Sequence, residues 1–404
     1  MSIVSERSAV TQATRDERRA LGVASGAHAL HDGYTDLIYV MLPIWQAEFG
    51  LGYAVIGILR SLFSGTMAAF QIPSGLVAEK LGTARVLAIG TAIVGFGYIL
   101  AGASAGLAMI AVALIVGGLG ASTQHPLAAA LVARAFSGPR SIKALGAYNF
   151  AGDIGKMILP AIAALLITLM PWRGALSLLG ACGFAAAVAI LALAPRRTHP
   201  TVRADEKTRM DAQSVPPQRF GFPLLLSIGV LDSATRMGLL TFLPFLLAAK
   251  GASIAGIGLA LTAVFAGGAC GKLACAFIGA RIGVFATVLL TEGLTALGIV
   301  ALLPLPLEWC YALLPIIGIA LNGTSSVLYG SVPMLVRAGK RTRAFSIFYT
   351  GTIGAGATAP ILYGLIGDHV GVPSTLVVIA AAVLATWPLA LALRPALTEL
   401  QHAG

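Results

Sequence analysis

The chain has 404 residues, of which 57% are hydrophobic and only 11% are Asp, Glu, Lys or Arg, with a formal net charge of +11; an ordinary soluble domain is about 25% charged. A soluble globule of this composition could not cover its own surface, so soluble enzymes, nucleic-acid binders and secreted disulfide scaffolds are excluded and a polytopic membrane protein is implied. The 48 glycines agree, because helices in lipid pack through small residues.

Residues 1–20, with Arg7, Arg15, Asp16, Arg18 and Arg19, lack the apolar stretch of a cleaved signal peptide and predict a short cytoplasmic tail. A spanning helix needs about 20 mostly apolar residues. Twelve such segments follow, at about 21–47, 54–78, 84–103, 107–133, 142–170, 173–194, 221–249, 253–279, 284–305, 309–336, 343–366 and 373–394. Residues 195–220, with Pro195, Pro200, Pro216, Pro217 and nine charged side chains, read as a cytoplasmic linker between two six-helix bundles, 21–194 and 221–394, which leaves 395–404 as a C-terminal tail. The predicted fold is an all-α integral membrane protein. Cys182, Cys270, Cys275 and Cys310 all lie in apolar runs with no C-x-x-C pair, so they are expected to pack helices rather than bind metal.

Basic residues sort by side. One side collects the N-terminal tail, Lys80, Arg85, Arg134, Arg140, Lys143, the linker, Arg281, Arg337, Lys340, Arg341, Arg343 and Arg394; the other has only Arg173 and Lys250. Cytoplasmic loops accumulate Lys and Arg, so both termini and the linker are expected in the cytoplasm, with the chain in a bacterial inner membrane. The positive charge is then a topology signal and does not point to nucleic acid.

The halves also repeat at an offset of roughly 200 residues. Gly75 to Gly82 after the second segment returns as Ala276 to Gly283 after the eighth, Leu131-Val132-Ala133-Arg134 as Leu335-Val336-Arg337, and Gly152-Asp153-Ile154-Gly155 as Gly351-Thr352-Ile353-Gly354. Three matches in register argue for duplicated halves related by an axis along the membrane normal.

The loop after the second segment reads Gly75-Leu76-Val77-Ala78-Glu79-Lys80-Leu81-Gly82-Thr83-Ala84-Arg85. It resembles the loop G-x-x-x-D-[RK]-x-G-[RK]-[RK] of the major facilitator superfamily, with Glu for Asp and a displaced final Arg. In it Gly75 is expected to allow close helix approach, Glu79 to cap or pair, and Lys80 and Arg85 to hold the cytoplasmic face, around Gly82. A narrower resemblance is to the fosmidomycin-resistance-like exporters, which carry H-x-x-N-D in helix 1 and H-P-E in helix 4. The matching stretches are His28-Ala29-Leu30-His31-Asp32 and Gln124-His125-Pro126-Leu127, with Asn149-Phe150-Ala151-Gly152 in helix 5. His28, Asp32, His125 and Asn149 carry over directly; His31 replaces Asn, Leu127 replaces Glu, and Asp153 with Lys156 stands where that group has small residues and proline. The resemblance implies secondary transport of a small molecule by a monomer, powered by a proton gradient with no cofactor.

An ionised side chain at a helix centre costs about 2.5 to 3.5 kcal/mol on insertion scales, so each marks a functional position. On helix 1, His28, Asp32 and Asp36 recur at four-residue steps, and His31, Thr35 and Tyr39 share that face. Helix 5 places Asn149, Asp153 and Lys156 on one face, and helix 7 places Asp232 and Arg236 there. For Asp153 with Lys156 and for Asp232 with Arg236 two readings stay open, internal neutralising pairs or working groups. Lys272 and Glu292 are the remaining C-terminal charges. Proton coupling is expected at Asp32 and His28, with His31, Asp36, Asp153 and Asp232 as further candidates. Substrate binding is expected at Arg60, Lys156 and Arg236, which suit an anionic headgroup, with Tyr39, Gln124, His125 and Asn149 beside them.

Three transport readings stay open: a proton-coupled antiporter exporting a small anionic, zwitterionic or amphiphilic compound, an uptake symporter for an organic anion, and a divalent-metal exporter using His28, His31, Asp32 and His125. No resident metal is expected. The absence of G-x-x-x-x-G-K-[ST], G-x-S-x-G and H-E-x-x-H argues against a primary pump or a hydrolase. A receptor or channel would have no use for duplicated halves with this loop.

Overall fold

The computed structural model describes residues 3–136, 139–195, 220–336 and 340–402. Apart from its two ends the predicted linker lies outside the described residues, as does Arg337. The helices in chain order are α1 (Ile3–Phe49), α2 (Tyr53–Leu81), α3 (Thr83–Gly102), α4 (Leu107–Ala121), α5 (Gln124–Ala135), α6 (Pro139–Leu169), α7 (Trp172–Leu193), α8 (Gly221–Ala249), α9 (Ile254–Ala301), α10 (Leu307–Ser331), α11 (Arg341–Leu384) and α12 (Thr386–His402). Among the described residues there is no strand. That follows from the solvent: in lipid every backbone N–H and C=O must be satisfied within the segment, which a helix does alone.

Ten helical stretches are long and apolar enough to cross a membrane, and the chain is a multi-pass membrane protein. Ile72, Phe277 and Leu169 are 78, 73 and 72% exposed. Side chains of that size facing outward together belong against lipid tails, where no hydrophobic penalty applies. α1 is not among the ten stretches, since its polar stripe lowers its hydropathy. The stretch Arg343–Pro395 is 53 residues long, far beyond the roughly 30 Å hydrocarbon thickness at 1.5 Å per residue. It contains Gly371 at φ 79 and ψ 167, as α9 contains Gly283 at φ 81 and ψ 165, so each of these long helices is two segments meeting at a kink. Only glycine takes that backbone conformation at little cost.

Residues 3–20 are helical and continuous with α1, because they hold good helix formers and neither Gly nor Pro. The C-terminal tail likewise continues α12 to His402. The fourth predicted segment corresponds to the single apolar stretch Leu107–Ala135, within which a turn at Ser122-Thr123 separates α4 from α5 and places Pro126 in the first turn of α5, where its missing N–H leaves no bond unmade.

By contacts the chain divides into two compact units, Met1–Ile38 with Leu62–Val202, and Tyr39–Ser61 with Arg203–Gly404. In the first unit, α3 packs on α7 and α4. A Cβ on Gly95 would lie 2.5 Å from the Gly180 carbonyl oxygen of α7, and one on Gly180 2.5 Å from that of Gly95. Tyr34 of α1 donates to the Leu179 carbonyl at 2.5 Å, and Tyr98 of α3 donates to the Tyr34 carbonyl. At one end of this unit Arg134 donates to the Thr83 hydroxyl at 3.1 Å and Arg140 pairs with Glu17 at 2.5 Å; elsewhere Arg173 donates to the Ser104 carbonyl at 3.0 Å.

The second unit packs α9 on α10 and α8 on α11, over a core that includes Leu225, Ile228, Val288, Leu328, Phe348 and Leu393. The Asp368 carboxylate accepts the backbone N–H groups of Tyr53 at 2.5 Å and Ala54 at 3.1 Å. It thereby caps the first turn of α2 and meets the positive end of that helix dipole. Lys250 donates to the Leu303 and Leu305 carbonyls at 2.8 and 2.6 Å. Of the four cysteines, Cys275 and Cys310 are buried as expected, whereas Cys182 and Cys270 are exposed on apolar helices.

We predict that Gly95→Val lowers stability by about 1 to 3 kcal/mol through overpacking of α3 against α7. A clear fall in the melting temperature of the detergent-purified protein is the expected result.

Candidate functional site

The site in the first unit is built around one carboxylate. α1 buries Asp32, and four cationic or titratable groups converge on it: Lys156 Nζ at 3.2 Å, His28 Nε2 at 3.4 Å, and His31 Nε2 and His125 Nε2 each at 3.9 Å. His28 and His31 come from α1 itself, His125 from the first turn of α5 and Lys156 from α6. His125 thus stands just after the turn at Ser122-Thr123 and next to Pro126. α6 lies close enough for Lys156 to reach because of two glycines. A Cβ on Gly155 would fall 1.8 Å from the Ala29 carbonyl oxygen, and one on Gly152 would fall 2.6 Å from His28 Cε1 and 2.7 Å from Asp32 Oδ2. No larger residue fits at 155 without moving α6 off the α1 backbone, and at 152 one would displace the His28 and Asp32 side chains themselves. Gly354, its counterpart in the sequence repeat, faces open space.

The imidazole rings are fixed as well as close. His28 stacks on Tyr148 with centroids 4.1 Å apart, and His125 stands edge-on to His28 at 5.3 Å and to His31 at 4.8 Å. His28 Nδ1 lies 2.9 Å from the Tyr148 carbonyl oxygen. A carbonyl only accepts, so Nδ1 carries the hydrogen and Nε2 is the atom turned toward Asp32. In the neutral ring that atom presents a lone pair to a carboxylate oxygen. A proton placed between the two converts an unfavourable contact into a charge-assisted hydrogen bond.

Two unit charges 3.2 Å apart attract by roughly 5 kcal/mol at an effective dielectric of about 20. Desolvation costs several kcal/mol per ion. The pair is thus close to break-even, and its retention is better explained by work than by stability. His28, Asp32 and His125 present ligand atoms all within 4.8 Å of one another, spacing that suits a divalent transition metal. The Lys156 ammonium beside the same carboxylate opposes a second, divalent cation there.

The other sequence-predicted residues fall in different places. Asp36 and Asp153 are buried, and Lys156 makes an ion pair with Asp32 on the neighbouring α1. Gln124 is buried, whereas Asn149 is exposed and outside the Asp32 contacts. In the second unit Arg60 donates to the Tyr39 hydroxyl at 3.1 Å with its guanidinium 4.8 Å from that ring's centroid, and Tyr39 contacts Met237 sulfur at 3.2 Å. Asp232 and Arg236 stand 3.9 Å apart, bridged by Ser325, which donates to Asp232 and accepts from Arg236 at 3.0 Å each.

In the loop motif, Glu79, Lys80 and Arg85 are exposed and Gly82 sits at φ 92 ahead of α3. The close helix approach expected at Gly75 is not found: a Cβ there would meet nothing within 4 Å. Leu76 and Val77 beside it face outward, and the contact of this stretch is made one residue earlier, by the buried Ser74 with the Ser122 hydroxyl at 2.7 Å.

Sequence reading missed Tyr148 and Ser325. Ser325 belongs to the polar run Asn322-Gly323-Thr324-Ser325-Ser326 inside an apolar helix, a signal that was available. Tyr148 acts through its backbone carbonyl and ring face, and an aromatic next to Asn149 carries no such signal.

A family model of the Major Facilitator Superfamily matches residues 25–226 and 225–402, and the chain belongs to that superfamily. Over 174 residues it is 26% identical to the probable L-galactonate transporter of Escherichia coli (strain K12), covering 43% of this chain and 38% of that protein. Over 164 residues it is 29% identical to the fosmidomycin resistance protein of the same organism, covering 41% of this chain and 40% of that one. These alignments span about two fifths of the length of the curated relatives. A solved peptide transporter shares the fold with a TM-score of 0.77 over 94% of this chain and 95% of that chain, at 14% identity. The relatives are transporters or a resistance protein by name, and the chain stands with them rather than with enzymes.

We predict that Asp32→Asn and Lys156→Met are each destabilising alone and that the double variant recovers part of the loss. The coupling energy from a thermal-unfolding cycle is expected at about 1 to 3 kcal/mol; additive effects would show that the two side chains do not act as a pair.

Proposed function

We propose that this chain is a secondary active transporter that works by alternating access. It exchanges protons for a small anionic, zwitterionic or amphiphilic organic compound, which it exports. The observation that carries this reading is Asp32, held by Lys156 and faced by three imidazoles. A proton taken up between His28 Nε2 and Asp32 neutralises the carboxylate. A substrate cation that takes Asp32 instead of that proton, with its anionic end on Lys156, makes proton and substrate mutually exclusive, which is the requirement for antiport. Arg60 and Arg236, with Tyr39 and Gln124, are assigned to further substrate contacts, and Asp36, Asp153 and Asp232 to supporting proton positions. One inward proton contributes about 2.3 kcal/mol per 100 mV, and each pH unit about 1.4, enough to sustain a gradient of a few hundredfold.

The same ion pair favours a second reading. When Asp32 is protonated, Lys156 loses its partner and is free for a simple organic anion, so proton and anion would bind together in an uptake symporter. The name of the galactonate relative is consistent with that class of substrate, as the name of the fosmidomycin relative is with export. Metal export ranks third because of Lys156.

The reading includes a topology. Adding α1 and a division of Arg343–Pro395 at Gly371 to the ten apolar stretches supports twelve passes. They would form two six-helix halves, residues 21–194 and 221–394, around the linker 195–220, with both termini in the cytoplasm of a bacterium and the protein in its inner membrane as a monomer. The energy source is the proton gradient, with no cofactor.

Proteoliposomes containing a pH dye, challenged with phosphonates, carboxylates, zwitterions and lipophilic drugs, test this directly. Substrate-driven proton release from acidified vesicles is the antiport outcome, and proton entry with substrate is the symport outcome. Asp32→Asn is expected to abolish proton-driven transport while leaving substrate exchange measurable. Lys156→Ala is expected to weaken anion binding about tenfold or more, the loss of one charge-assisted contact. Heat on titrating the purified protein with zinc would raise the metal reading instead.

A further inference from the structure

Beside the Asp32 cluster the first unit holds a second, smaller polar space, which takes no part in the transport reading. It lies where α1, α3, α4 and α5 meet, and its polar walls are His31, Tyr34, Thr91 and Gln124; Asp32, His28, His125 and Lys156 do not line it. It leaves about 10 Å³ for the centre of a water-sized sphere, which is room for one water.

Two of the walls carry buried polar atoms that no protein group satisfies. His31 is 5% exposed and Gln124 2%, and among the described residues neither His31 Nε2 nor Gln124 Nε2 has a hydrogen-bond partner. The Asp32 carboxylate, at 3.9 Å, is too far from His31 Nε2 to serve. The other two walls have already committed their protons. Thr91 donates to the Leu87 carbonyl at 2.8 Å and Tyr34 to the Leu179 carbonyl at 2.5 Å, so each hydroxyl oxygen is left only to accept. The space is thus faced by an amide nitrogen that only donates, two oxygens that only accept, and an imidazole nitrogen that does one or the other. An anion would meet two oxygens with no hydrogen to give, and a cation would meet the amide hydrogens. A dry space would leave the Gln124 and His31 nitrogens with the full cost of burial. A water, which needs two to four partners of both kinds, matches these walls.

We propose that this space is a water site: one ordered water accepts from Gln124 Nε2, donates to the Thr91 or Tyr34 oxygen, and completes the bonding of His31 Nε2. Water both donates and accepts, so it fits either neutral tautomer of His31. Gln124 is then a positioning residue that holds the His31 ring through the water, in addition to the substrate contact assigned to it above. The site goes beyond the transport reading, and neither its existence nor its test requires transport.

Solid-state NMR of the full-length protein in liposomes, with isotope-labelled histidine, reads the transfer of magnetisation from water protons to each imidazole, and His31→Asn assigns the His31 signal. The wild type is expected to show close water contact at His31. Ala121 lines the space, and the added methyl groups of Ala121→Val are expected to fill it and abolish that contact while His28 and His125 keep theirs. Absence of water contact at wild-type His31 overturns the site. So does contact that survives Ala121→Val undiminished, as water reaching the ring from the Asp32 side would. Should Ala121→Val fail to fold, thermal unfolding decides: Gln124→Leu is expected to lower the melting temperature of the wild type and to lower it clearly less in a His31→Phe background. Equal falls, or a rise as an apolar side chain fills a dry space, overturn the bridge.

Discussion

A carboxylate inside an apolar helix bundle must be supplied with positive charge from other helices, and much of the first unit is arranged to supply it. Asp32 cannot reach a cation within its own turn of α1 beyond the two histidines there. Lys156 must arrive from α6, which requires that helix to lie against the α1 backbone, which requires glycine at 155, while glycine at 152 leaves room for the His28 and Asp32 side chains. His125 arrives from the first turn of α5, next to Pro126. Local backbone irregularity and helix spacing here follow from the electrostatics of one buried side chain.

The second unit meets the same constraint in a different way. Asp232 and Arg236 lie one turn apart on one helix, and a serine from α10 fills the gap between them. The surrounding polar groups are hydroxyls, among them Thr291, Thr324 and Thr352, that donate mainly to helix carbonyls or to one another. Such groups are cheap to bury because each can be satisfied by its own helix. The first unit therefore concentrates titratable rings around its acid, whereas the second surrounds its acids with groups that do not ionise.

Much of the fold was legible because lipid imposes a simple code: long apolar runs, interrupted by short polar loops with basic residues on one side. What escaped that code were the places where hydropathy and helix geometry part company. The break before Gln124 is invisible to an apolar window, since Ser122 and Thr123 are tolerated in helices. Residues 3–20 are polar and still helical, because helix propensity and membrane affinity are separate properties. At the site, the four-residue spacing on α1 placed His28 and Asp32 together without further help. That Lys156 would reach Asp32 depends on the distance between two helices, which no spacing within one helix encodes. Gly75 was judged by its motif, and its surroundings turned out to be open.

The cap on α2 has a consequence for sequence drift. Asp368 grips two backbone N–H groups, so one half of the clamp is written in side chain and the other in main chain. Positions 53 and 54 can exchange residues widely and keep the contact, with proline as the exception because it has no hydrogen to give. Position 368 has no such latitude: the two N–H groups are accepted by separate oxygens, which a short carboxylate supplies and an amide, with a single acceptor oxygen, does not. Among natural variants of this chain the tether should therefore leave a one-sided mark, an almost invariant acid facing a pair of freely changing residues, and pairwise covariation analysis would pass over it.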